Sequence, residues 1–146
     1  MGDQSDIDDD RGDRPGGMPA RLSMVVLSAG HLPTLRAFYR DLGWPERAGG
    51  SDAVSIFRVG DVDLALYPSG TLSGDTAAEL RSAMTLVVSV ETRAAVDEAH
   101  AAAMSSGARS VVDPVDQPWG GRSGVLADPE GNRWEVLWVP TRADHE

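Results

Sequence analysis

One order of hydrophobic patterns runs through this chain twice, and that repeat limits its possible folds more than any other feature. A buried-strand run, Leu22-Ser-Met-Val-Val-Leu27, leads to a helical stretch from Pro33 to Gly43. There Leu35, Phe38, Tyr39 and Leu42 fall at i, i+3, i+4 and i+7, one face of a helix, and Gly43 predicts its stop. Two β-type runs follow, Ala53–Val59 and Val62–Tyr67, and Gly60-Asp61 between them predicts a type II′ hairpin because the glycine comes first. Pro68 to Asp75 reads as a loop between halves. The order then restarts. Met84–Val90 predicts a strand, Thr92 an N-cap, and Arg93–Ser106 a helix with Val96, Ala99, Ala103 and Met104 on one side. Short strands near Arg109–Val112, Gly124–Ala127 and Arg133–Val139 complete the second copy, with Asp128-Pro-Glu-Gly131 as a type I turn before the last.

Met24 and Met84 lie 60 positions apart, and the glycines that end the two helices, Gly43 and Gly107, lie 64 apart. Two β-α-β-β-β modules, about 21–68 and 83–140, account for this spacing. A unit of ~60 residues buries only about 60% of the surface its unfolded chain exposes. The modules must therefore pack on one another or on another chain. The fold class is α+β, one domain over 21–140.

The flanks differ from this domain. Residues 1–20 hold six Asp against Arg11 and Arg14, with few apolar groups, and are expected to be a disordered acidic leader. The tail 141–146 is also polar. The formal charge of −10 argues against a nucleic-acid or anionic-membrane surface. No apolar run approaches the ~20 residues of a membrane helix, and no signal-peptide pattern opens the chain. There is no Cys, and all 13 basic residues are Arg, which removes disulfides, thiolate metal sites, thiol nucleophiles and lysine Schiff bases. A cytoplasmic protein acting on a small molecule is the expectation.

Particular strings narrow the reading. Leu35-Arg-Ala-Phe-Tyr-Arg-Asp-Leu-Gly43, Asp63-Leu-Ala-Leu-Tyr-Pro68, Ala103–Ala108, Trp119-Gly-Gly and Asp128-Pro-Glu-Gly-Asn-Arg-Trp-Glu-Val-Leu-Trp138 together span about Leu22 to Pro140. In this order they resemble the vicinal oxygen chelate superfamily of glyoxalases, extradiol dioxygenases, fosfomycin-resistance enzymes and bleomycin-binding proteins. The resemblance implies cupped mixed sheets around a cavity, with the helices outside. It also implies four inward side chains that hold a divalent metal in the family's metalloenzymes, where the ion stabilises a developing oxyanion or enolate. Matched by motif, those positions fall on Met24, Leu64, Thr85 and Glu135.

A thioether, an isobutyl group and a hydroxyl do not make a site for a hard divalent ion. The expectation is no metal and no cofactor, with catalysis left open and Glu135 as the one catalytic candidate. Strand alternation puts Glu135 in the cup and Trp134 and Trp138 under the helices, with Met24, Val26, Ser28, Leu64, Leu66, Thr85, Val87 and Ser89 as further lining. Glu135 is read as an ion-paired structural acid (with Arg133, Arg58 or Arg122), a ligand anchor, or a general base. Trp119 either stacks on a planar ligand, with Arg122 supplying charge, or plugs the cup. Phe57 is a candidate wall. His31 suits a loop or cap, and His100 an exposed ion pair with Asp97. The leading expectation is metal-independent binding of an apolar or aromatic molecule by a glyoxalase/bleomycin-resistance-like domain, as a homodimer. The alternatives are an enzyme of the lyase, isomerase or dioxygenase type with a divalent metal on Glu135, Asp63 and His31, and a ligand-free dimerisation or regulatory module.

Overall fold

A computed structural model of the chain describes residues 17–18, 20–47, 51–70 and 84–140. Nearly all of the acidic leader, the inter-module segment 71–83 and the tail lie outside the described residues. The elements are β1 (Met24–Ala29), α1 (Leu32–Asp41), β2 (Ser55–Val59), β3 (Val62–Pro68), β4 (Thr85–Ser89), α2 (Arg93–Ser105), β5 (Arg109–Asp116), β6 (Arg122–Ala127) and β7 (Arg133–Trp138). They form two mixed sheets, ordered β1-β3-β2 and β4-β7-β6-β5. In each, the first strand of the module pairs parallel with the last. The duplicated order in the sequence is thus a duplicated topology, and neither sheet closes on itself.

The copies differ in width. In the first module the remaining strand is reduced to one bridge, Glu46 to Phe57, flanked by Arg47 N–H donating to the Ile56 carbonyl at 2.7 Å and Arg58 N–H to that of Pro45 at 2.8 Å. Pro45 has no N–H to extend the ladder. In the second module β5 runs on to Asp116, past the expected Val112, because register shifts on both sides of Val112 accommodate Pro114 in this edge strand. The hairpin turn follows expectation: Gly60 has φ 61° while no described non-glycine residue has positive φ, which is the type II′ pattern.

Side chains that pair across a ladder share a face. One face of each sheet lies under the helices, where Leu27, Leu66 and Phe57 meet Leu35 and Phe38, and Trp134 and Val136 meet Val96 and Ala103. The other face is uncovered by either helix and is called the open face below. Thr92 starts α2 as expected, its hydroxyl accepting from Ala95 N–H at 3.0 Å.

A hydrogen-bonded clamp fastens the modules. Trp134 Nε1–H donates to the Tyr39 hydroxyl at 2.9 Å, and that hydroxyl donates to Asp128 Oδ2 at 2.6 Å. Asp128 Oδ1 also accepts from the backbone N–H groups of Glu130 and Asn132, each at 2.9 Å. Glu130 Oε1 accepts from Gly30 N–H at 2.8 Å, just before α1 begins. Burial first, and the Asp128 carboxylate second, hold the Tyr39 phenol well above its ordinary pKa, so it remains a donor.

Candidate functional site

The last strand behaves as its alternation requires. Trp134, Val136 and Trp138 are buried on the helix side, and Arg133, Glu135 and Leu137 point the other way. Across the β4–β7 ladder Glu135 pairs with Val87, Thr85 with Arg133, and Ser89 with Leu137. Glu135 and Thr85 therefore share the open face of the second sheet. Met24 and Val26 take the corresponding positions in the first sheet, both partly buried.

Four other expected residues do not belong to this lining. Met24 pairs with Asp63, whereas Leu64 pairs with Val25. The residues opposite Met24, Val26 and Ser28 are thus Asp63, Ala65 and Tyr67, and Leu64 and Leu66 face the helices. Leu64 is only 2% exposed. The motif match set β3 one residue out of register, and a slip of one turns every side chain to the other face. Phe57 pairs with Leu64 and is fully buried beside the Tyr39 ring, so it is core and not wall. Arg122 also lies on the helix side. Its Nε and Nη2 donate to Asp97 of α2 at 3.0 and 2.8 Å, and its Nη1 donates to Asp116 at 3.1 Å. That pairing lowers the Asp97 pKa and raises that of Arg122. It fastens α2 to the sheet and supplies no charge to Glu135.

The remaining partners considered for Glu135 are equally engaged or unpaired with it. Arg58 donates to Asp63 at 3.3 Å, and Arg47 binds the other oxygen of that carboxylate. Arg58 could have been placed from sequence, because a two-residue turn at Gly60-Asp61 puts it directly opposite Asp63. Arg47 had no comparable signal. No described residue forms an ion pair or side-chain hydrogen bond with Glu135. Around it the open face is apolar yet wet: Val87 is 51% exposed, and Val112 and Val115 on β5 are nearly as open.

Trp119 lies in the β5–β6 loop, 54% exposed. The two glycines after it have separate tasks. Gly120 takes φ 105°, which side chains resist. Gly121 has no room for one: a Cβ there would stand 2.2 Å from Trp119 Cη2 and 2.6 Å from the Trp138 carbonyl oxygen. The indole lies on bare backbone as a fixed, half-exposed plate. His31 Nδ1 is 2.5 Å from Thr34 Oγ1, within the first turn of α1. His100 departs from expectation. It is 5% exposed, not an exposed partner of Asp97, with Nε2 2.9 Å from Ser110 Oγ and Nδ1 buried without a partner. Its signal was the i+4 spacing from Val96, which puts it on the buried side of α2.

A sequence model of the Glyoxalase/Bleomycin resistance protein/Dioxygenase superfamily matches residues 21–136. The chain belongs to this superfamily. Among solved structures, it is similar to a glyoxalase-related enzyme from Fulvimarina pelagi, with 22% identity, TM-score 0.75, and coverage of 86% of this chain and 94% of that one. Lactoylglutathione lyase from Agrobacterium tumefaciens matches at 23% identity and TM-score 0.65, over 82% and 94%. TioX from Micromonospora sp. ML1 matches at 22% and 0.62, over 82% and 98%. At such identities the likeness is one of fold. No curated protein matches the chain.

Within this glyoxalase-type fold, the donors at the metal positions can be weighed directly. Glu135 is a good oxygen ligand. Thr85 offers a hydroxyl, Met24 a thioether, and Leu64 faces away from the others. Asp63, the nearest substitute on the open face, is already bound by two arginines. Among the described residues no three His, Asp or Glu side chains gather closely enough to share an ion, so the structure does not bring Glu135, Asp63 and His31 together. One carboxylate beside a hydroxyl and a thioether does not fit a hard divalent cation.

Proposed function

We propose that this glyoxalase/bleomycin-resistance-type domain binds a small apolar or aromatic molecule on its open sheet face, with no resident metal or other cofactor. One observation carries the reading: the face bearing the family's ligand positions combines a lone carboxylate, Glu135, with exposed Val87, Val112 and Val115. Solvent-exposed apolar area of this kind marks a surface that is covered in use. Hydroxyl donors or a cation on the ligand would engage Glu135, while Trp119 and Met24 would add apolar area. No helix among the described residues is long and apolar enough to cross a membrane, which accords with the cytoplasmic location we propose.

The same exposure favours a second reading, in which another copy of the chain covers this face as a homodimer. Methyl-resolved NMR at several concentrations separates the two. Val125 pairs with Glu135 across the β6–β7 ladder and with Val112 across β5–β6, so it shares the open face. Ligand binding moves the Val87, Val112 and Val125 signals on titration of a hit from a small-molecule screen, whereas self-association moves them on dilution. Metal is tested separately. Dialysis against zinc, nickel, manganese or iron(II) is expected to leave far less than one ion per chain. A tightly held ion at unit stoichiometry that Glu135→Gln releases would overturn the metal-free reading.

A further inference from the structure

The opposite side of the second sheet carries a feature that the open face does not explain. Between α1 and α2 runs a cleft of about 180 Å³. Its floor is Val88, Leu126, Trp134 and Val136 from β4, β6 and β7. Phe38, Leu42 and Trp44 form one wall, and Ala99, Ala102 and Ala103 the other. The three alanines fall at i, i+3 and i+4, one stripe of α2. Val96 and Met104 on the same helix are larger and pack into the core. Among the described residues, methyl groups alone face Phe38 and Leu42, and they leave a gap between the helices.

The chemistry of the walls specifies the occupant. The polar side-chain atoms at the cleft are the Tyr39 hydroxyl and Trp134 Nε1, and both are committed to the clamp. No wall side chain is left to bind a polar group or to hold water in place. The rings are set at angles: Trp44 meets Trp134 at 5.3 Å and 74°, and Tyr39 meets Trp44 at 5.5 Å and 32°. Tilted rings of this kind offer both an edge and a face to a flat guest. An apolar cavity of about 150 Å³ suffices for benzene, so this cleft has room for one ring or a compact fused pair. We propose that it is a second ligand site, taking a small planar apolar molecule of one or two rings by shape and ring contact alone. It faces away from Glu135 and Val87, and it stands whether or not the open face binds anything.

The test is a titration of the full chain, with Leu, Val and Ala methyl groups labelled, using toluene and indole as probes. Saturable shifts are expected at Leu42, Val88, Leu126 and Val136, with Val87, Val112 and Val125 unmoved. Ala102 is exposed on α2, so Ala102→Trp can cap the cleft without entering the core. It should weaken either probe at least tenfold while keeping a folded methyl spectrum. If that variant does not fold, Ala99→Leu serves the same purpose by narrowing the gap. Cleft methyls that stay still up to millimolar probe would overturn the proposal. So would undiminished binding to the capped variants, or contacts in the ligand-free chain showing that residues 71–83 or another copy already fill the space.

Discussion

The two faces of the second sheet are built from alternate residues of the same strands, yet they follow opposite rules. On the helix side, every polar group of the Tyr39–Trp134–Asp128 clamp has its partner, and the rings of Tyr39, Trp44, Phe57 and Trp134 pack around it. On the open side, Glu135 has no partner among the described residues, and valines stand in solvent. The strings that mark the superfamily, Phe38-Tyr39 through Gly43 and Asp128-Pro-Glu-Gly through Trp134, belong to the first face. They identify the fold because they build it. The difference teaches that family membership and chemistry are written on different sides of one strand.

If that division is real, breaking the clamp should cost the most stability. Asp128→Ala leaves the N–H groups of Glu130 and Asn132 and the Tyr39 hydroxyl without their acceptor. A loss of about 3–4 kcal/mol is expected, since each stranded buried group costs about 1–3 kcal/mol and the local backbone relaxes in part. Tyr39→Phe strands only the Trp134 N–H, because Asp128 Oδ2 keeps its hydrogen bond from Asn132 Nδ2 at 2.8 Å, and should cost about 1–3 kcal/mol. Urea unfolding measures both. A clamp that merely decorates the fold would give losses below 0.5 kcal/mol.

Next in size is the plate at the sheet end. Gly121→Ala forces a methyl group into Trp119 and toward the Trp138 carbonyl, an overpacking expected to cost about 1–3 kcal/mol. Trp119→Ala should cost less, because half of the ring is already exposed. Near-equal losses would mean that the indole has a structural task beyond covering Gly121.

How much of this was legible beforehand follows the same division. The helix-side pattern was readable: the i, i+3, i+4, i+7 spacing of Leu35, Phe38, Tyr39 and Leu42 predicted a buried face, and alternation in β7 put Trp134 inside and Glu135 outside. Packing repeats with the period of the element, so it leaves a trace in a single sequence. The open face was harder. Register in β3 was misjudged by one because Asp63-Leu-Ala-Leu-Tyr67 has apolar residues on both faces, which hides the alternation that fixes register. Arg122 was assigned to a ligand, although two aspartates distant in sequence from one another, Asp97 and Asp116, claim it. Such pairings depend on how helix and strand dock, which no spacing rule encodes. His100 was misplaced for a related reason: a polar residue on an otherwise alanine-rich helix gives a weak cue to which side is buried.

His100 also sets the pH dependence of the helix side. Burial lowers its pKa, and the nearby carboxylates of Asp113 and Asp97 only partly oppose this. The unfolded chain therefore binds a proton near pH 6.5 that the folded chain refuses, so stability must fall as pH drops below that value. The surface acids Glu46 and Asp97, whose pKa values are lowered by Arg40 and Arg122, lose their contribution only at more acid pH. His100→Gln keeps a donor toward Ser110 and removes the titration. Denaturation midpoints at pH 7.5 and 5.5 should drop for the wild type and change less for the variant; parallel curves would show that the proton is accommodated.

The smallest expected effect on stability is the most informative about function. Glu135 makes no ion pair with any described residue, so Glu135→Gln should change stability by no more than about 0.5 kcal/mol. A residue so inexpensive to replace, on a face so poorly covered, is not kept in place by the fold. The variant then separates the three roles open to this carboxylate. A structural acid predicts a clear loss of stability, which the absence of a partner argues against. A ligand anchor predicts unchanged folding with weaker binding of any cationic or hydroxylated molecule held on that face. A general base predicts retained binding with turnover lost. Measured on one variant, the pattern decides between them even before the natural ligand is in hand, because the stability readout alone removes the first role and the screened ligand divides the other two.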